Sequence, residues 1–174
     1  MKHTSSLAVR RFTTRDGAFN ATPARIVFGS GTSRTVRDEV AHLGCKRALV
    51  VSTPGRKTMA KQVAHTLSDL AVGVLPEAVS QVPVELARRG RVAALETGAD
   101  CIVAIGGGAS VGLAKGISLE LALPIVNIPT TYSGSEMTAF CGMTIDGVKI
   151  MHESRNMLAP VSYTHLTLPT TPYV

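Results

Sequence analysis

Cys101-Ile102-Val103-Ala104-Ile105 runs straight into Gly106-Gly107-Gly108, and Ala109-Ser110-Val111-Gly112-Leu113-Ala114-Lys115 follows in a helical pattern. A short apolar run bounded by a turn signal suits a parallel strand covered on both faces. The three glycines remove every Cβ from the turn, so backbone N–H groups can approach a ligand closely and a positive φ costs little. The helix beyond them offers free N–H groups and the positive end of its dipole to an anion such as a pyrophosphate, and Ser110 is expected to cap it. The turn therefore reads as a phosphate seat, with a ligand-free strand-to-helix turn as the alternative. Gly106, Gly108 and Gly112 give G-x-G-x-x-x-G, which departs from the usual dinucleotide spacing because Val111 stands where the third glycine belongs.

Upstream, strand and helix patterns alternate. Ala24–Gly29 reads as a strand, and Val36, Val40 and Leu43 form one apolar stripe of a helix ended by Gly44, with Arg34, Arg37, Asp38 and Glu39 outside it. Ala48–Val51 is a second strand, and Met59, Val63, Leu67 and Leu70 mark the next helix. Val72–Leu75 is a third strand, followed by a helix from Pro83 to about Gly98 with Leu86, Gly90, Ala93 and Thr97 on one face. After the glycine turn come a helix to about Leu121, a strand at Ile125–Ile128, and a hairpin of Thr138–Thr144 and Val148–His152 across Ile145-Asp146-Gly147. Such alternation predicts an α/β, Rossmann-like parallel sheet with helices on both faces plus a β-hairpin. Ligands on such sheets bind beyond the carboxyl ends of the strands, where Thr53, Gly106–Gly108 and Thr130-Thr131 gather. The second strand exits through Ser52-Thr53-Pro54-Gly55, with no carboxylate to repel a 2′-phosphate and with Arg56 and Lys57 close behind. NADPH is therefore expected to be tolerated alongside NADH; alternatively, those cations simply start a solvated helix. Lys149 on the hairpin reads equally as a reach toward a cofactor phosphate or ribose and as an edge-strand charge that blocks aggregation.

The 174 residues suffice for one core of ordinary size, and 45% apolar against 17% charged residues reads as globular. A net charge of +6 favours anionic ligands, but the densest cationic cluster, Arg88-Arg89-Gly90-Arg91, falls within a helix pattern and reads as a solvated face. With four Phe and three Tyr to stack bases, no nucleic-acid partner is expected. Cys45, Cys101 and Cys141 share no C-x-x-C spacing and read as buried thiols in a reducing cytoplasm. No run is long enough to span a membrane, and residues 1–24 read as a solvated tail. His42, His65 and His152 show no ligand spacing.

Two segments together, the glycine triplet with its helix ending Ala114-Lys115 and Pro129-Thr130-Thr131-Tyr132-Ser133-Gly134-Ser135-Glu136-Met137-Thr138, resemble the iron-containing alcohol dehydrogenase superfamily and within it look most like the maleylacetate reductases. The likeness runs from about Arg25 to Pro160, the cofactor-binding domain of that family. It implies that Gly107, Gly108 and Ser110 hold a pyrophosphate, with Gly106 and Ala109 beside them at the cofactor, that Thr130 and Thr131 line the adenosine portion, and that Tyr132 and Ser133 lie toward the nicotinamide; Thr53 and Pro54, at the exit of the second strand, are expected by the ribose. Alternatively, Tyr132 packs against a further domain. Ala109 replaces the Ser usual after the triplet, leaving Ser110 to supply the hydroxyl. Gly112 replaces a more usual Asp, and Gln81-Val82-Pro83 replaces most of a Pro-Asn-Pro segment. The implied activity is NADH- or NADPH-dependent reduction of maleylacetate, a small anionic substrate, by a cytoplasmic homodimer. A metal-dependent alcohol or glycerol dehydrogenase and a nucleotide-binding fragment without activity are the alternatives. The family's helical second domain, with its ligands for iron or another divalent metal, is expected to be missing here, so no catalytic residue is named. Val161–Thr171 resembles one translated frame of a sequencing adapter, so residues 161–174 are expected to be non-native, outside a domain of residues 25–160; the alternative is native sequence, since relatives carry a Val-x-Tyr-x-x-x-Leu-Thr segment here.

Overall fold

A computed structural model describes residues 24–164; the reading of a tail over 1–23 and the remainder of the adapter-like stretch, 165–174, lie outside them. In chain order the elements are β1 (Arg25–Phe28), α1 (Val36–His42), β2 (Ala48–Val51), α2 (Lys57–Leu67), β3 (Ala71–Leu75), α3 (Val84–Glu96), β4 (Cys101–Gly106), α4 (Gly108–Leu121), β5 (Ile125–Pro129), β6 (Phe140–Ile145), β7 (Val148–Glu153) and β8 (Val161–Thr164). Six strands form one parallel sheet in the order β1-β8-β5-β4-β2-β3.

Alternation of side chains across the pleat separates two cores. On one face Val36, Val40, Ala60, Val63 and Leu67 from α1 and α2 cover Ala48, Val50, Val103, Ile105, Val126 and Ile128. On the other, Leu86, Ala87 and Ala94 of α3 and Leu113, Ala114 and Ile117 of α4 cover Leu49, Val51, Ile102, Ala104 and Ile125. β4 is buried on both sides, which is why its sequence is a continuous apolar run. From β2 the chain steps outward to β3 and then returns through α3 to place β4 on the opposite side of β2. The connections leaving β2 and β4 therefore diverge to opposite faces and open a crevice at the carboxyl ends of these strands.

β6 and β7 stand apart as an antiparallel hairpin whose turn residues Asp146 and Gly147 both take positive φ (49° and 78°), as the Asp-Gly signal predicts. Pro83 bridges to Thr144, tying the hairpin to the start of α3.

Three expectations are corrected. Glu39 is not on a solvated face: it is 7% exposed, and its carboxylate accepts from Arg25 Nε at 2.7 Å and Nη2 at 3.0 Å, fixing α1 to β1. The buried face of α3 is Leu86, Ala87, Gly90, Arg91 and Ala94, because Gly90 and Gly116 let α3 and α4 approach until a Cβ on Gly90 would lie 2.7 Å from Ile117. Arg91 goes in with that face, donating Nη1 to the Gly116 carbonyl at 2.9 Å and pairing with Glu120 at 3.1 Å. Arg88 and Arg89 remain exposed as read, paired with Glu85 and Glu77. Finally, the boundary at Pro160 moves to Thr164. Val161–Thr164 pairs with β1 on one side and β5 on the other, and Tyr163 is fully buried with its hydroxyl 3.2 Å from Thr35 Oγ1. Without this strand β1 has no neighbour in the sheet.

Candidate functional site

β4 ends at Gly106, whose φ of 139° is open to glycine and strained for other residues. Gly107 precedes α4 in extended geometry and carries no capping side chain, so the first-turn N–H groups of α4 have no side-chain acceptor. Thr130 N donates to Gly106 O at 2.9 Å, locking the exit of β5 onto the glycine turn. The segment after β5 then folds across the turn, and each glycine faces a hydroxyl residue. A Cβ on Gly107 would lie 2.7 Å from Thr131 Oγ1, one on Gly108 would lie 3.2 Å from Ser133 Cβ, and one on Gly106 would run into Ser110 Oγ. Side chains at these three positions would run into the hydroxyl residues packed around the turn, so the turn is built for glycine.

A cleft of about 730 Å³ opens beside the turn, between Ser80–Val82, the first turns of α4, residues 133–138 and the hairpin. Of the residues expected to bind the cofactor, Gly108, Ala109, Ser133 and Lys149 line it, as do Gln81, Val82 and Gly112. Lys149 reaches it by crossing Gly142, where a Cβ would collide with its Cε. Gly107 and Thr131 abut the same turn, while Thr53 and Pro54 follow β2, the neighbour of β4, at the same end of the sheet. Ser110 does not cap α4: it lies in the first turn of that helix, fully buried, and its hydroxyl has no hydrogen-bond partner.

The wall at Gln81-Val82 takes positive φ (63° and 22°), held by Thr144, whose N donates to Val82 O at 3.0 Å and Oγ1 to Gln81 O at 2.7 Å. A β-branched residue in that region stores on the order of 1–3 kcal/mol of strain. Val82 is 3% exposed, and its Cγ2 would lie 2.8 Å from a Cβ on Gly112. The two departures from the family pattern are thus one contact: Val82 occupies the space that a side chain at position 112 would take. Gly112→Ala is expected to destabilise the protein by about 1–3 kcal/mol through overpacking, and Val82→Ala in the same chain to recover part of that loss. Urea unfolding of the two single variants and the double variant reads the coupling, and strictly additive changes would show that the contact does not matter.

Two charged residues of the site were not legible as such. Glu136 is 6% exposed and accepts from Ser133 Oγ at 2.8 Å, which orients that hydroxyl in the cleft wall. Lys115 is fully buried and donates to Ser135 O, Thr138 Oγ1 and Phe140 O. Burial pushes its ammonium down to about 8, against the opposing influence of Cys141 and Glu136. A signal existed: α4 is apolar on nearly every side, so a lysine within it has to be buried and hydrogen-bonded.

The cleft lining includes no carboxylate or imidazole among the described residues. Cys45, Asp100 and Cys101 bring donor atoms within 4.8 Å of one another at the opposite, amino end of the sheet. There the Asp100 oxygens each accept a backbone N–H, from Lys46 and Arg47 at 2.8 Å, and burial raises both thiols. That cluster serves the packing of β2 against β4.

Residues 23–164 match the protein family described as iron-containing alcohol dehydrogenase. Maleylacetate reductase of Burkholderia cepacia is 52% identical over 131 residues, 75% of this chain and 37% of that protein. The maleylacetate reductase of Sphingobium indicum is 47% identical over 143 residues, 82% of this chain and 40% of that protein. The crystal structure of maleylacetate reductase from Agrobacterium tumefaciens superposes with a TM-score of 0.82 at 42% identity, covering 87% of this chain and 43% of that one. The chain thus spans about two fifths of the length of these relatives.

Proposed function

Because the chain belongs to the iron-containing alcohol dehydrogenase family, we propose that it is the cofactor-binding portion of an NADH- or NADPH-dependent reductase acting on maleylacetate. The observation that carries this reading is the cradle at β4–α4, three glycines set against Ser110, Thr131 and Ser133 at the mouth of a parallel sheet. A bound dinucleotide supplies the hydride, and the residues here bind and aim it. Gly107, Gly108 and Ala109 offer backbone N–H groups to the pyrophosphate, with the dipole of α4 behind them. Ser110 supports the turn from inside, its N–H donating to Gly107 O at 3.0 Å and its side chain fully buried. Thr130 and Thr131 close over the turn toward the adenosine portion, and Thr53 and Pro54 flank the ribose. Ser133, held by Glu136, and Lys149 face the cleft where substrate and nicotinamide meet. The substrate class rests on the names of the relatives and is supported by the apolar Val82–Gly112 contact, which leaves that floor without the Asp and Asn of the alcohol dehydrogenase pattern.

Calorimetric titration with NADH and NADPH tests the reading, and both are expected to bind. Thr53→Asp is expected to weaken NADPH about tenfold more than NADH, since a carboxylate near a 2′-phosphate is repulsive in a partly desolvated site. An equal loss for both removes Thr53 from the ribose, and a folded protein that binds neither overturns the proposal.

A further inference from the structure

Lys115 occupies the interior of α4 with none of its surface exposed. An ammonium has three hydrogens, and here they go to Ser135 O, to Thr138 Oγ1 at 3.0 Å and to Phe140 O at 2.8 Å. No carboxylate among the described residues pairs with it. All three acceptor residues lie between β5 and the first residue of β6, and all three line the cleft. The segment they belong to has little structure of its own. It contains one short 3₁₀ turn, Ser135–Met137, entered through Gly134 at φ 77°. Its further ties include Asn127 Nδ2 to Glu136 O at 3.4 Å, Ser133 Oγ to Glu136 Oε2 at 2.8 Å and, at its far end, Ser154 N to Ala139 O at 3.1 Å. A buried charge is costly unless every proton finds an acceptor. Lys115 meets that condition with three oxygens of this one segment, so the segment cannot shift without stranding the charge.

We propose that Lys115 is a positioning residue of the dinucleotide site: by clamping residues 135–140 it fixes the cleft wall opposite the glycine turn, and the affinity for dinucleotide depends on it although its amine does not touch the ligand. The affinity arm rests on the dinucleotide reading above; the clamp itself does not. Deprotonation leaves the amine two hydrogens, and the third contact then survives only if the Thr138 hydroxyl turns to donate to the amine and gives up its own bond to Ser135 O at 3.3 Å, so the full set of bonds is made only when the amine is charged. The groups that face it are the Cys141 thiol, which burial pushes up and the charges of Lys115 and Lys149 draw back, and the Glu136 carboxylate.

The test compares the 174-residue chain with Lys115→Met and Lys115→Arg, using NADH titrations between about pH 7 and about pH 9 and amide hydrogen exchange of the ligand-free proteins. In the unsubstituted chain NADH affinity is expected to fall as pH rises through about 8, because the charged clamp is lost as the folded-state amine gives up its proton. Lys115→Arg keeps its charge and is expected to give a flat profile. Lys115→Met is expected to bind about tenfold more weakly throughout, with faster exchange confined to residues 133–140 while β4 and α2 stay protected. Unchanged NADH affinity and unchanged exchange in Lys115→Met overturn the proposal. So does an exchange increase spread evenly over the protein, which would make Lys115 a core residue only. If the unsubstituted chain binds no NADH, the dinucleotide reading fails, and the exchange measurement alone decides whether Lys115 holds the wall.

Discussion

Gly107→Val is expected to abolish dinucleotide binding, raising Kd by at least about a hundredfold while leaving the fold intact. The choice of this glycine follows from backbone geometry. Gly106 has a φ of 139°, so any substitution there strains the turn itself and confounds binding with folding. Gly107 sits at φ −87°, ψ −162°, a conformation that every L-residue adopts, so a side chain there costs the backbone nothing. What it costs is space. The first carbon alone would lie 2.7 Å from Thr131 Oγ1, and the two methyl groups of valine extend further into the turn where pyrophosphate and backbone N–H groups must meet. Calorimetry with NADH, alongside circular dichroism to verify the fold, reads the outcome. Undiminished affinity in a folded variant would move the site away from the β4–α4 turn.

The second large effect concerns turnover. The 174-residue chain is expected not to reduce maleylacetate, whereas residues 1–164 joined to the remainder of a maleylacetate reductase are expected to be active. Hydride transfer requires substrate held in near-attack geometry against the nicotinamide, and such positioning is worth on the order of 10⁵ or more in effective molarity. On the function proposed here, the described residues bind and aim the cofactor, and the remainder of such a reductase completes the substrate side of the cleft. Around it Tyr132, Met137, Phe140 and Met151 are each about half exposed or more (51%, 51%, 47% and 60%), an apolar rim of the kind that marks an interaction surface. The junction belongs after Thr164, because a break at Pro160 removes β8 from the middle of one half of the sheet. NADH oxidation followed at 340 nm compares the two proteins. Turnover of the isolated chain near that of the joined one would place the whole of the chemistry in the residues present here.

Much of this protein could be read along the chain. Apolar runs at β2, β4 and β5 separated by helical periodicities dictate a parallel sheet covered on both faces, since only such strands are apolar throughout. The triplet Gly106–Gly108 dictates a turn that backbone can use for a ligand, and Asp146-Gly147 dictates a two-residue hairpin, because both follow from the local conformational freedom of the residues named. Other features depend on who packs against whom. Glu39 and Arg91 read as solvated because a periodicity reports the side of a helix, not the partner waiting there, and their partners are 14 residues away at Arg25 and 25 residues away at Gly116. Ser110 reads as a cap until the helix is seen to begin at Gly108, which turns its hydroxyl inward. Val82 and Gly112 are unrelated positions in the sequence and a single contact in space. Val161–Thr164 resembles foreign sequence, yet its alternation of Val161 and Tyr163 on one face fits the gap between β1 and β5. The layers and the glycine turn are consequences of local conformation and apolar pattern, and both are written along the chain. Tertiary structure alone decided which charges are buried, which hydroxyls face the cradle and how Lys115 grips the opposite wall, because the free energy of a buried polar group is set by the partners that packing brings to it.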